Sequence, residues 1–118
     1  MTGEARIELF GKSDVPVAGT SHRQDVLARI AGDALRRGEH VAFTALLVPE
    51  PLNPHDPNAI AVIAENHGPV GYFGRRDAVR YRYTLNDVRA SLRAGANTTA
   101  EAVSATVTTV NLPEVPAP

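Results

Sequence analysis

Four prolines crowd into one short stretch of this chain, Val48-Pro49-Glu50-Pro51-Leu52-Asn53-Pro54-His55-Asp56-Pro57-Asn58. A proline has no backbone N–H to donate, and it pushes the residue before it out of the helical region. This stretch therefore ends a strand and cannot be a helix. Asn53, Asp56 and Asn58 carry short polar side chains that bond the backbone two residues on, which builds a compact turn. The following AIAVIAEN places β-branched residues at every second position, the period of a strand. A turn at Asn66–Gly68 and a further strand at Val70–Phe73 complete the unit. The stretch from Val48 to Arg76 thus reads as strand, rigid polar loop, strand, tight turn, strand, and so rigid a loop holds its side chains in one fixed arrangement.

The remaining segments are built around this unit. ARIELF and VPVAG read as short strands, with Pro16 suited to an edge. Thr20 or Ser21 with Gln24 makes a capping pattern for a helix over Ser21–Arg37. Its apolar stripe is Val26, Leu27, Ile30, Ala31, Ala34 and Leu35, and Gly38 stops it. His40–Val48 is a strand with Val41, Phe43, Ala45 and Leu47 on one face. A second helical region begins at Arg75, capped near Asp77, with Val79, Tyr83, Val88 and Leu92 facing inward. Ala100–Val110 is read as one last strand closing the sheet. Residues 1–112 form one domain, and 113–118 are a Pro-rich tail. Hairpins in the middle of this order predict an α+β fold with an antiparallel sheet. Many short strands with only two helices favour a small, OB-like β-barrel.

Composition bounds the chemistry. At 118 residues the chain is long enough to bury roughly two-thirds of its unfolded surface. With no Trp and few aromatics, its core must come from Val, Ile, Leu and Ala. With no Cys there is no disulfide or thiolate metal site, which fits a cytoplasmic location. No apolar run reaches membrane-span length, and the N-terminus lacks a signal-peptide pattern. The net charge of −1 makes no global case for nucleic acid. Locally, Arg75, Arg76, Arg80, Arg82, Arg89 and Arg93 are opposed only by Asp77 and Asp87, which predicts one basic face. The glycines at 68, 71 and 74 are not read as a phosphate loop, because no Lys-Ser follows them and no buried strand leads through them into a helix. They read instead as bulges or points of close backbone approach.

The string EP-x-NP-x-DPNAIAV followed by VGY, with VAGTSHRQDVL upstream, resembles the HIRAN domain, a module fused to Snf2-type helicases and nucleases and also found alone in bacteria. The resemblance covers about Val15 to Ala78. It implies a modified OB-like barrel that binds the 3′ end of single-stranded DNA, in the setting of DNA repair and beside a helicase or nuclease partner. In that family two aromatic side chains hold the terminal base and a carboxylate meets the 3′-hydroxyl. Carried over by position, the aromatics fall on His22 and His55 and the carboxylate on Asp56. Asn53 matches the loop Asn, Tyr72 the polar residue after the VG pair, and Arg75, with Arg76 beside it, the phosphate contact. Both stacking positions hold His where the characterised domain has Tyr. An imidazole offers a smaller π-face, and stacking on a full aromatic contributes roughly 1–3 kcal/mol per base.

Each of these residues also has an ordinary structural reading. Asn53 and Asn58 can simply hold the turn, Tyr72 can be a half-buried strand residue, and the arginines can be a solvated face. His40 and His67 read as surface residues. Three functions remain open. One is a binding module for single-stranded DNA or another nucleic acid, with no catalysis and no cofactor. The second is a metal- or histidine-dependent phosphodiesterase using His22, His55 and Asp56, although a divalent-metal hydrolase usually gathers several carboxylates. The third is a protein-interaction module that meets no nucleic acid.

Overall fold

The computed structural model describes residues 6–9, 11, 13–32, 37, 39, 41–84, 97–104 and 108–112. In chain order the elements are β1 (Arg6–Leu9), β2 (Ser13–Ala18), a single 3₁₀ turn (Thr20–His22) and α1 (Gln24–Ala31). They continue with β3 (Val41–Pro49), β4 (Ile60–Ala64), β5 (Gly68–Phe73), α2 (Arg75–Thr84), β6 (Asn97–Ser104) and β7 (Thr109–Leu112).

Six strands close on themselves in the order β6-β3-β4-β5-β2-β7, every pair antiparallel, and β7 returns to β6 through Ala102↔Val110 and Val103↔Thr109. This is the expected small α+β barrel of OB-like type. β1 lies outside the ring and pairs in parallel with the start of β6, Arg6↔Asn97 through Leu9↔Ala100. The interior is lined by small and β-branched side chains, as the shortage of aromatics requires. Val15, Val17, Ala45, Leu47, Val62, Ala64, Val70, Ala102, Val110 and Leu112 are all buried. Val26 and Leu27 of α1, with Ala78 and Tyr81 of α2, join the same core. Phe73 and Tyr81 meet with ring centroids 5.8 Å apart and planes tilted by 57°, a favoured aromatic geometry.

Several expectations need correction. The segment read as one last strand is two, β6 and β7, which form an antiparallel pair. Its sequence, Ala100 to Val110, offers no Gly, Pro or Asn to mark a reversal, so the β-forming run reads as continuous. The first helix begins at Gln24, because Gly19 takes a left-handed φ of 81° and a 3₁₀ turn intervenes. Gln24 does not complete a capping box; its Nε2 donates to the Thr20 carbonyl at 2.9 Å. The helix closes at Gly32, with φ 53°. The continuing apolar stripe hid that stop, and Ala34, Leu35 and Gly38 lie outside the described residues. The second helix presents Ala78 and Tyr81 inward, with Val79 half-buried. It opens with the Ala78 N–H donating to the Gly74 carbonyl at 2.9 Å, and Asp77 stands inside that first turn. Val88, Leu92, Arg89, Arg93 and the Pro-rich tail lie outside the described residues.

Two features of β5 set the exposure of its side chains. Its register against β4 slips between Val62↔Gly71 and Ile63↔Pro69, so Val70 is an extra, fully buried residue, a bulge that re-aims its neighbours. Gly71 lies so close to β2 that a Cβ there would overlap the Ala18 carbonyl oxygen and approach Val17 Cγ1 at 2.7 Å. The neighbouring Tyr72 is then the exposed large side chain of the strand, at 39%.

Candidate nucleic-acid interface

Antiparallel order gathers the chemistry at one end of the barrel. Pro49 is paired with Ile60, Ala61 with Tyr72, and Tyr72 in turn with Ala18. The Glu50–Asn58 loop, the Gly19–Arg23 turn and the start of α2 therefore all leave the barrel at the same end. The Asn66–Gly68 turn, with Asn66 at φ 67°, is at the other end of the β4–β5 hairpin. His67 belongs to that far turn, where its carbonyl accepts from Arg29 at 3.2 Å.

The loop is knotted by its own side chains, as expected of Asx turns. Asn53 Oδ1 accepts from the His55 N–H at 2.8 Å and the Asp56 N–H at 3.2 Å, and Asp56 Oδ1 accepts from the Asn58 N–H at 2.9 Å. At the base of the loop the Glu50 N–H donates to the Ala59 carbonyl and the Asn53 N–H to the Glu50 carbonyl. Asn58 Oδ1 is buried without a hydrogen-bond partner among the described residues. Asn53 and Asn58 thus hold the turn. Asp56 shares that work through one oxygen, and its Oδ2 has no partner among the described residues.

A residue that sequence reasoning passed over ties the loop to the barrel. Glu50 Oε1 accepts both the Asn53 Nδ2 at 3.0 Å and the Tyr72 hydroxyl at 2.8 Å. The hydrogen bond to Glu50 is the main reason the Tyr72 phenol is pushed above its ordinary 10.0; desolvation and the Glu50 charge add to it, and the Arg23 guanidinium pulls the other way. Arg23 therefore stands within electrostatic reach of Tyr72. The signal for Glu50 was present as the first residue of the EP-x-NP string. Arg23 carried none, since it lies outside the apolar stripe of the helix and nothing nearby in the sequence links it to Tyr72.

Of the expected site residues, Asn53, His55, Asp56, Tyr72 and Arg75 come together. Arg75 Nη2 donates to the His55 carbonyl at 3.4 Å, so the His55 backbone is held at both its N–H and its C=O while its imidazole is exposed. His22 is also exposed. Its N–H donates to the Gly19 carbonyl at 3.2 Å, in the turn directly after the strand that pairs with Tyr72. Arg75 and Arg76 are exposed and carry no carboxylate partner among the described residues. Arg80 does not extend this basic face. It is half-buried, pairs with Asp77 at 3.6 Å and leaves its Nε buried and unbonded among the described residues.

Among the described residues no group of three or more His, Asp or Glu side chains could hold a metal ion. None of the described helices is long and apolar enough to cross a membrane. The arrangement offers hydrogen-bond acceptors at Glu50 and Asp56, exposed ring faces at His22, His55 and Tyr72, and cations at Arg23, Arg75 and Arg76. Such a set suits a polar, anionic chain with flat bases.

No curated protein and no solved structure matches the chain. The sequence model of the HIRAN domain matches residues 10–107, most of the chain, from the strand before the 3₁₀ turn through the loop, Tyr72 and α2. HIRAN domains are generally nucleic-acid-binding modules, and by this match, on the barrel and loop described above, the chain belongs to the HIRAN domain family.

Proposed function

We propose that this domain binds single-stranded DNA and takes the free 3′ end into the pocket between the Glu50–Asn58 loop, Tyr72 and the Gly19–Arg23 turn. The observation that carries the reading is the pairing of an available carboxylate oxygen on Asp56 with a pinned His55 and an Arg75 without a carboxylate partner among the described residues, all on one rigid loop and its flank. An ionised carboxylate can only accept hydrogen bonds, so it suits a terminal hydroxyl, which donates one. His22 and His55 then flank the terminal base, with Tyr72 below it. Arg75 and Arg76 meet the backbone phosphates, and Asn53 keeps the loop in shape. The cellular setting consistent with this is a helicase or nuclease that needs a strand end presented to it.

The test is competition by fluorescence anisotropy among single strands ending in a 3′-hydroxyl, strands ending in a 3′-phosphate, and circular strands. It is run in EDTA and in magnesium, with a gel for cleavage products. The expected order is hydroxyl above phosphate above circle, unchanged by EDTA and without product. A terminal phosphate adds roughly −1.5 to −2 charges beside Asp56. Equal affinity for all three forms contradicts end recognition, and metal-dependent product favours the phosphodiesterase reading.

A further inference from the structure

The Glu50 carboxylate is out of place in a surface that binds an anionic chain. It is half-buried directly after β3, it has no cation partner among the described residues, and a single oxygen, Oε1, receives both of its side-chain hydrogen bonds. If its task were only to tie the loop down, a neutral amide would do the same without repelling phosphate. The bond it accepts also settles what Tyr72 can offer. A phenol has one O–H to donate, and Tyr72 donates it to Glu50 at 2.8 Å. Tyr72 is left with acceptor lone pairs and a ring face, so it cannot donate to a phosphate oxygen.

We propose that Glu50 is a specificity-determining residue that keeps internal phosphodiesters out of the pocket and sets Tyr72 as a hydrogen-bond acceptor for the terminal nucleotide. This rests on the end-binding reading above. Asp56 Oδ2, Glu50 Oε2 and the Tyr72 hydroxyl oxygen are left as acceptors, and Asn53, bonded to both the Glu50 carboxylate and the Asp56 N–H, ties the two acidic residues into one loop. Arg75 reaches the same loop at the His55 carbonyl, and Arg23 lies within electrostatic reach of Tyr72. A chain passing straight through would lay a phosphate against the acceptors. A chain that ends there brings a hydroxyl and the N–H groups of its last base.

The experiment compares wild type, Glu50→Gln and Tyr72→Phe for binding to a 3′-hydroxyl oligonucleotide and to a circular single strand at one salt concentration. Gln keeps an oxygen for both bonds and removes only the charge, so the melting curve should stay near wild type. Glu50→Gln should then bind the circular strand about threefold tighter, the size expected for one unit charge removed about 7 Å from a phosphate in water. The preference for the free end should shrink by at least that factor. Tyr72→Phe keeps the carboxylate and should show no such gain on the circle. A Glu50→Gln variant that weakens both ligands alike, or changes neither, overturns the proposal, as does an equal gain in Tyr72→Phe. Wild-type protein that binds neither ligand overturns both this and the end-binding reading. Wild-type protein that binds both equally overturns end recognition and this proposal with it, whereas a wild-type preference for the free end that Glu50→Gln leaves unchanged overturns this proposal alone.

Discussion

Replacing Gly71 with alanine places one methyl group where the barrel has no room. The new Cβ would overlap the Ala18 carbonyl oxygen and lie 2.7 Å from Val17 Cγ1. Val17 can turn its side chain, but Ala18 presents backbone and cannot yield without moving β2. That strand meets β5 at only two paired positions, Val17↔Phe73 and Ala18↔Tyr72, so the seam has little redundancy. Forcing an extra carbon into a packed site costs roughly 1–3 kcal/mol. Displacing two ladder hydrogen bonds at about 1 kcal/mol each adds to it. A loss of about 3–5 kcal/mol is expected, which in a domain of this size lowers the melting temperature by roughly 12–20 °C. Urea unfolding followed by circular dichroism measures the free energy, and hydrogen exchange at the Ala18 and Phe73 amides locates the damage. Because Tyr72 and the Gly19–Arg23 turn sit on either side of this seam, strand binding should also fall at temperatures where the variant is still folded. A variant within about 0.5 kcal/mol of wild type would refute the close-approach argument, since that is the range of an ordinary surface substitution.

Three further outcomes rest on the same geometry. Asp56→Ala should weaken binding of the hydroxyl end by about 1–3 kcal/mol, the range for a charge-assisted bond, and narrow the gap to the phosphate end. Asp56→Asn keeps an acceptor for the Asn58 N–H and should therefore keep the fold while losing the charge. In a difference titration at about 295 nm, where phenolate absorbs, against Tyr72→Phe, the Tyr72 phenol should ionise above 10.0, and less so in Glu50→Gln. The folded value is raised, so the stability linked to this bond is fully present below the unfolded pKa and is lost as pH rises through the folded one. Single-strand affinity should fall by about 0.7 log units per phosphate contact for each tenfold rise in salt, with roughly two to four contacts; a slope near ten contacts would mean a broad electrostatic surface.

Much of this architecture is legible in the chain because proline and Asx residues speak unambiguously. Pro49, Pro51, Pro54 and Pro57 rule out a helix, and the Asn53 and Asp56 turns form as their chemistry dictates. Alternation in Val41–Pro49 and Ile60–Ala64 gives the central hairpin within a residue or two of its ends. What the chain hides is long-range. That β6 and β7 are separate strands depends on pairing with β3 and β2, which no local residue announces. The register slip at Val70 and the close approach of Gly71 to Ala18 both arise between paired strands, and the second joins strands far apart in sequence. In the site, Asn53, His55 and Asp56 are close in sequence and readable together. The role of Glu50 requires knowing that Tyr72 lies across the hairpin from the loop, and Arg23 enters only because the Gly19 turn brings the start of α1 back beside β5.

On the end-binding proposal the strand end is received where the loop, Tyr72 and the 3₁₀ turn converge. Backbone amide shifts of the labelled protein, recorded during titration with a short 3′-hydroxyl oligonucleotide, test it most directly. The largest changes should fall on residues 20–23, 53–58, 72 and 75. Residues 65–68, at the opposite end of the β4–β5 hairpin, should stay still. The same titration with a 3′-phosphate strand should give smaller shifts at 55–58. Shifts concentrated on the Asn66–Gly68 turn, or on β1, with Tyr72 and His55 unmoved, would contradict the account.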